Sequence, residues 1–189
     1  MGINLQKGQR ISIESNGASV QKFRIGLGWD TNQSDSGSDF DLDASIFILG
    51  ENSKVVSESH FVFYNNLSDP EGSVVHTGDN LTGEGEGDDE MIDVDLSKIN
   101  GAVQSINVVV TIHDATARGQ NFGQVRNAFV RVYDPNTNEE ILKFDLSEDF
   151  SIETAVEFGR IYLKDGSWKF EAIGTGFNGG LQSFVDRYM

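Results

Sequence analysis

The chain has 189 residues, of which 38% are apolar and 13 are Phe, and it carries a formal net charge of −16 from 30 acidic and 14 basic residues. That length and apolar content suit one folded domain spanning residues 1–189 and exclude an intrinsically disordered chain. The charge excludes a nucleic-acid duplex or a bare anionic membrane as partner, and the lack of cysteine excludes disulfides, zinc–thiolate sites, iron–sulfur clusters and thiol nucleophiles.

Residues 1–8 contain no long apolar run, so no signal peptide is expected, and no stretch of about 18 apolar residues occurs that would cross a membrane as a helix. Together with the absent cysteines this suits a cytoplasmic protein. Residues 23–29 alternate large with small or polar side chains, as a strand buried on one face does. Residues 42–49, with Ile46, Phe47, Ile48 and Leu49, have the continuous apolar character of a buried strand. Strands are also expected over 60–64, 91–96 and 105–112, the last being the richest in β-branched residues. Residues 128–133 and 140–144 flank a turn at Asp134-Pro135-Asn136, and Asp165-Gly166 joins two further runs as a hairpin. Helical signal is confined to a turn or two within 115–125 and to Leu181, Phe184, Val185 and Tyr188, whose spacing marks a C-terminal docking helix. The expected fold is mainly β, a two-sheet β-sandwich with few short helices including a C-terminal one.

The acids are not spread evenly. Five lie between residues 30 and 43 and eight between 79 and 95, with no Lys or Arg in either stretch. Concentrated like charge destabilises a compact state unless something neutralises it. In Asp39-Phe40-Asp41-Leu42-Asp43, alternation along an extended segment puts the three carboxylates on one side. In Gly78-Asp79-Asn80-Leu81-Thr82-Gly83-Glu84-Gly85-Glu86-Gly87-Asp88-Asp89-Glu90, oxygen donors are interleaved with glycines whose backbone can bend tightly. Calcium requires this chemistry, because it takes six to eight oxygens at about 2.3–2.6 Å. An EF-hand counted from Asp39 fails, since Ala44 and Gly50 stand where Gly and Glu are needed. A phosphate loop fails because Asp88, not Lys, follows Gly87. One irregular run is not the tandem glycine–aspartate calcium repeat. The remaining alternative is a solvated acidic loop with no ligand.

The chain also resembles the TerD family of tellurite-resistance and bacterial stress proteins. The resemblance is carried by Gly26-Leu27-Gly28-Trp29-Asp30, Phe40-Asp41-Leu42-Asp43-Ala44-Ser45, Phe63-Tyr64-Asn65-Asn66 and Gly78-Asp79-Asn80. Further matches are Thr82-Gly83-x-Gly85-x-Gly87-Asp88-Asp89-Glu90, Val110-Thr111-Ile112-His113-Asp114-Ala115, Phe122-Gly123-Gln124-Val125 and Trp168-Lys169-Phe170. It spans nearly the whole chain, and the thirteen-residue acidic loop is its most specific part. It implies a β-sandwich with two neighbouring Ca2+ ions at one end. The implied ligands are Asp41, the Leu42 carbonyl and Asp43 from the first loop, and Asp79, Asn80, Asp88, Asp89 and Glu90 from the second. Asp30, Asn65 and Asn66 lie in matching motifs and join them as further candidates. Leu81 stands where related members often carry a basic residue. The implied function is that of a calcium-binding stress-response protein, a calcium-stabilised interaction module and not an enzyme. Its implied partners are proteins of the tellurite-resistance and stress complex at the inner membrane.

Other chemistries fit less well. His113-Asp114 has the makings of a general-base pair, but no activated nucleophile accompanies it. His60, His76 and His113 are too scattered in sequence for a catalytic zinc site. A Mg2+- or Mn2+-dependent phosphoester hydrolase would need a basic residue beside the acidic loops, and Arg118 and Arg126 are the nearest in sequence. Direct capture of a tellurium oxyanion is opposed by the negative charge and by the absence of thiols.

Overall fold

The structure is a computed structural model and describes residues 2–15, 18–30, 39–78, 87–146 and 150–189. Its strands in chain order are β1 (Ile3–Asn4), β2 (Arg10–Ser12), β3 (Glu14–Ser15), β4 (Ala18–Ser19), β5 (Lys22–Gly28), β6 (Leu42–Leu49) and β7 (Phe61–Val62). They continue with β8 (Val74–His76), β9 (Glu90–Asp95), β10 (Ser105–Ile112), β11 (Phe129–Tyr133), β12 (Glu140–Asp145), β13 (Ala155–Lys164) and β14 (Ser167–Phe177). Two α-helices, α1 (Ala115–Arg118) and α2 (Gly180–Tyr188), complete the set with short 3-10 turns.

Two six-stranded sheets face each other, in the orders β1-β12-β11-β5-β9-β8 and β2-β14-β13-β10-β6-β7, while β3 and β4 form a small separate pair. Inward residues follow the strand period of two: Phe23, Ile25 and Leu27 on β5, Ile92 and Val94 on β9, and Leu42, Ala44, Ile46 and Ile48 on β6 all enter the main core. The unbroken apolar run of β6 has a physical reason. Its other face, with Phe47 and Leu49, is covered by Phe184 and Tyr188 of α2 in a second apolar cluster. A strand buried on both faces cannot alternate. Phe47 stacks on Phe61 at 4.4 Å between ring centroids, and Phe61 on Phe63 at 4.3 Å. Beneath α2, the buried Glu157 carboxylate accepts hydrogen bonds from Tyr188 Oη at 2.5 Å and from Asn107 Nδ2 at 2.8 Å. The helix is therefore docked by polar as well as apolar contacts.

The sandwich and its C-terminal helix agree with the expected class. Asp165 and Gly166 turn the β13–β14 hairpin with φ of 53° and 75°, the paired positive values of a type I′ turn. His60 lies in a 3-10 turn (Glu58–His60), not in the strand that follows it. The helix within 115–125 is split, because Gly119 at φ 65° ends α1 in a left-handed cap before a separate turn at Phe122–Gln124. The short edge strands β1 and β2 carry no periodicity that a sequence could show, and pairing with β12 and β14 defines them.

Candidate metal centre

Antiparallel pairing gathers the acidic segments at one end of the sandwich. In one sheet Leu27 of β5 pairs with Glu90, the first residue of β9. In the other, Asp43 and Leu42 at the start of β6 pair with Thr111 and Ile112 at the end of β10. The two sheets then meet through side chains. Glu90, 1% exposed, stands on the inward face of β9, and its Oε2 accepts a hydrogen bond from Ala44 N at 2.7 Å. Trp29 makes a second bridge: its backbone N–H donates to Asp89 Oδ2 at 2.9 Å and its indole Nε1 to the Phe40 carbonyl at 3.2 Å. Trp29 is a buried core residue that ties the two acidic segments together.

Asp41 and Asp43 are buried, whereas Asp39 is exposed, so the three alternating carboxylates do not share one environment. The Asp41 carbonyl accepts from His113 N at 2.8 Å, which anchors the first segment to the end of β10. His113 Nδ1 lies 3.5 Å from Asp43 Oδ2, and His76 Nε2 lies 3.6 Å from Glu90 Oε2. Imidazole carries charge only when protonated, so these contacts do not guarantee neutralisation of the buried carboxylates. Burial pushes the Asp89 carboxyl above its ordinary value, against the hydrogen bond from Trp29, and the nearby Asp88 and Asp30 push it further up. Asp41, Asp43 and Glu90 are buried and Asp89 is half-buried, and carboxylate oxygens of this kind are the donors that a hard divalent cation takes.

The neighbours of this group have other tasks. Both oxygens of Asp88 are held by Arg131, Nε to Oδ1 at 2.7 Å and a terminal nitrogen to Oδ2 at 2.9 Å, with the Asp88 side chain only 2% exposed. Asp88 fills the outer face over Gly26, where an added methyl carbon would sit 2.3 Å from its Cγ. Glycine is needed there for the close approach. Asp30 is exposed, and its Oδ2 accepts from Asn127 Nδ2 at 2.6 Å. Asn66 donates through Nδ2 to the carbonyls of Ser59 and Phe61, so it closes the turn after β7. Asn65 is exposed on that turn, which reaches the site through Tyr64, whose ring meets His113 edge-on at 6.0 Å. Asp79 and Asn80 lie outside the described residues. Arg131 and Asn127 carry no motif signal in the sequence, and His76 enters there only as one of three scattered histidines. Arg131 meets Asp88 because β11 lies beside β5 with Arg131 opposite Gly26, a register that no local pattern announces. A 520 Å³ groove lined by Asp43, His113, Asp114 and Leu181 runs from this end toward the start of α2. Among the described residues no helix is long and apolar enough to cross a membrane.

Comparison with known proteins matches the TerD domain over residues 1–188. The chain is 57% identical to the uncharacterized protein YceE and 53% identical to general stress protein 16U, both of Bacillus subtilis (strain 168), in each case over its full length and 98% or 97% of the relative. It is 49% identical to the tellurium resistance protein TerD of Alcaligenes sp, over the full chain and 97% of that protein. Among solved structures it resembles a homologue of telluride resistance protein (TerD) from Streptomyces coelicolor A3(2). That match has a TM-score of 0.75 at 22% identity, and covers 88% of this chain and 96% of the other.

Proposed function

This chain belongs to the TerD family of tellurium-resistance and stress proteins, and on that premise we propose that it binds calcium at the acidic end of the sandwich and works as a calcium-stabilised interaction module. The proposed ligands are Asp41, the Leu42 carbonyl, Asp43, Asp89 and Glu90, joined by Asp79 and Asn80 for a pair of ions. Asp30 and Asn65 flank them, while Asp88 and Asn66 act as anchors. The observation that carries this is the convergence of two oxygen-rich segments from opposite sheets, joined by the Glu90–Ala44 and Trp29 hydrogen bonds.

The mechanism is electrostatic. Without a cation the buried carboxylates repel one another and loosen the end that holds them. Asp41, Asp43, Asp89 and Glu90 would hold a Ca2+ ion whose charge offsets theirs, and binding to the native state alone would stabilise it by about 4 kcal/mol when free ion stands 1,000-fold above Kd. The ordered, less negative end and the groove beside it then form a surface for a protein partner of the resistance and stress complex. The proposed setting is the cytoplasm, with membrane association only through partners.

A metal-dependent phosphoester hydrolase would use the same carboxylates but needs a free cation for the transferring phosphoryl group. Arg131, beside the second segment, is bound through two nitrogens to Asp88, which favours a binder over a catalyst. Two of the relatives named above are a general stress protein and a tellurium resistance protein, not members of a known enzyme class. The decisive experiment is calorimetric calcium titration of metal-stripped protein, paired with thermal melts in calcium and in EGTA. Calcium uptake with a raised midpoint supports the module. No heat and no shift, or turnover of a phosphoester panel with Mg2+ that is lost in Asp43→Asn, overturns it.

A further inference from the structure

His60, Asp69 and Glu71 meet at the far end of the β8–β9 edge, away from the acidic end. The carbonyl of Ser73, on the same loop, accepts from Asp95 N, at the opposite end of β9 from Glu90. Five residue steps of strand separate Asp95 from Glu90, about 16 Å. One ligand atom from each of the three side chains lies within 4.8 Å of the others, and His60 Nε2 stands 3.1 Å from Glu71 Oε2. His60 and Asp69 are each 4% exposed.

Each side chain is held from behind. His60 Nδ1 is hydrogen-bonded to Ser57 Oγ at 2.8 Å. Asp69 Oδ2 accepts from Ser73 Oγ at 2.6 Å and Oδ1 from Val74 N at 2.7 Å. Glu71 Oε1 accepts from Asn100 Nδ2 at 2.7 Å. These contacts direct Nε2 and Oε2 toward each other, yet neither of these buried atoms makes a hydrogen bond. They stand 3.1 Å apart, a contact that is an ion pair only when the imidazole is protonated. A buried nitrogen and a buried oxygen without a hydrogen bond are accounted for by an ion bound beside the pair and touching both. Outer partners that fix the far atoms of His60 and Glu71, and both oxygens of Asp69, are of the kind metal sites use to orient imidazole and carboxylate. Zinc-class bonds of about 2.0–2.2 Å put neighbouring ligand atoms roughly 3–3.5 Å apart. The His60–Glu71 pair already has that spacing, and Asp69 has only to close on it.

We propose that His60, Asp69 and Glu71 form a second cation site, distinct from the acidic end and selective for a first-row divalent transition metal such as Zn2+. One imidazole and two carboxylates match a divalent charge, and the remaining positions go to water. The imidazole separates this site from an all-oxygen calcium centre. The scattered histidines of the sequence concealed it, because a single histidine suffices once folding brings two carboxylates to it.

The test is zinc titration by calorimetry on the full metal-stripped chain, with calcium held saturating so that the acidic end is occupied. One equivalent of Zn2+ is expected, with affinity falling at least tenfold in His60→Ala and in Glu71→Gln while calcium stoichiometry is unchanged. Glu71 is half-exposed, and E71Q keeps the acceptor for Asn100, so that variant decides the matter if H60A fails to fold. No zinc heat under saturating calcium, or undiminished zinc binding in E71Q, overturns the proposal. Failure of calcium binding alone leaves this result standing, since zinc can be titrated without calcium and the E71Q comparison is read the same way.

Discussion

The side chain of Glu90 accepts a hydrogen bond from the backbone N–H of Ala44 at 2.7 Å, although the two residues belong to opposite sheets and stand 46 positions apart. The contact joins the second acidic segment to the strand that carries the first. It also leaves a buried carboxylate at the mouth of an apolar core. Such a group is stable there only with strong compensation.

Glu90→Gln preserves volume and keeps an oxygen for Ala44 but removes the charge. Calcium affinity should fall at least about tenfold, equivalent to ~1.4 kcal/mol. Calorimetry on stripped protein measures this, and unchanged affinity would remove Glu90 from the ligand set.

Arg131→Met leaves the Asp88 carboxylate buried without its cation. Breaking a buried pair from one side costs about 3–5 kcal/mol, read as a lower urea midpoint. Adding Asp88→Asn should recover much of the loss, because no charge is then stranded. Equal instability of single and double variants would show that Arg131 acts through packing.

Gly26→Ala places a methyl group 2.3 Å from the Asp88 carboxyl carbon. Relieving that overlap should cost about 1–3 kcal/mol, well above the 0.5–1 kcal/mol scale of ordinary glycine–alanine differences in regular structure. A thermal midpoint within a degree of wild type would mean that Asp88 can move aside freely.

Glu171 gives a pH-dependent test. Burial raises its pKa, but hydrogen bonds and charge from Arg10 and Arg160 outweigh burial and hold the carboxyl below its ordinary range. A folded-state value below the unfolded one means the stabilisation is complete above the unfolded value and lost as pH falls through the folded one. Wild type should therefore melt above Glu171→Gln by a constant margin at neutral pH, and the margin should close below about pH 4.3. A margin undiminished at pH 3 would show that the contact does not depend on ionisation.

The strands β5, β6 and β10, the Asp165-Gly166 turn and the α2 face were legible in sequence because each rests on periodicity or turn chemistry within a few residues. The concentration of acids was equally legible. Legibility stopped where two distant segments had to meet. Asp88, Asp89 and Glu90 read alike as consecutive acids, yet they reach Arg131, Trp29 N and Ala44 N, three destinations fixed by strand order and sheet packing.

The sequence by itself determined that this is a β-sandwich chain with glycine-spaced carboxylates, and its motifs identified the family. Only the tertiary structure decided which carboxylates enter the end of the core, which one is taken by an arginine, and that His60, Asp69 and Glu71 come together. Propensity and spacing act over a turn or a strand, whereas a cation site requires oxygen and nitrogen donors brought within a few ångströms from segments far apart in the chain. Register and sheet stacking supply that proximity, and neither is written in any local stretch of residues.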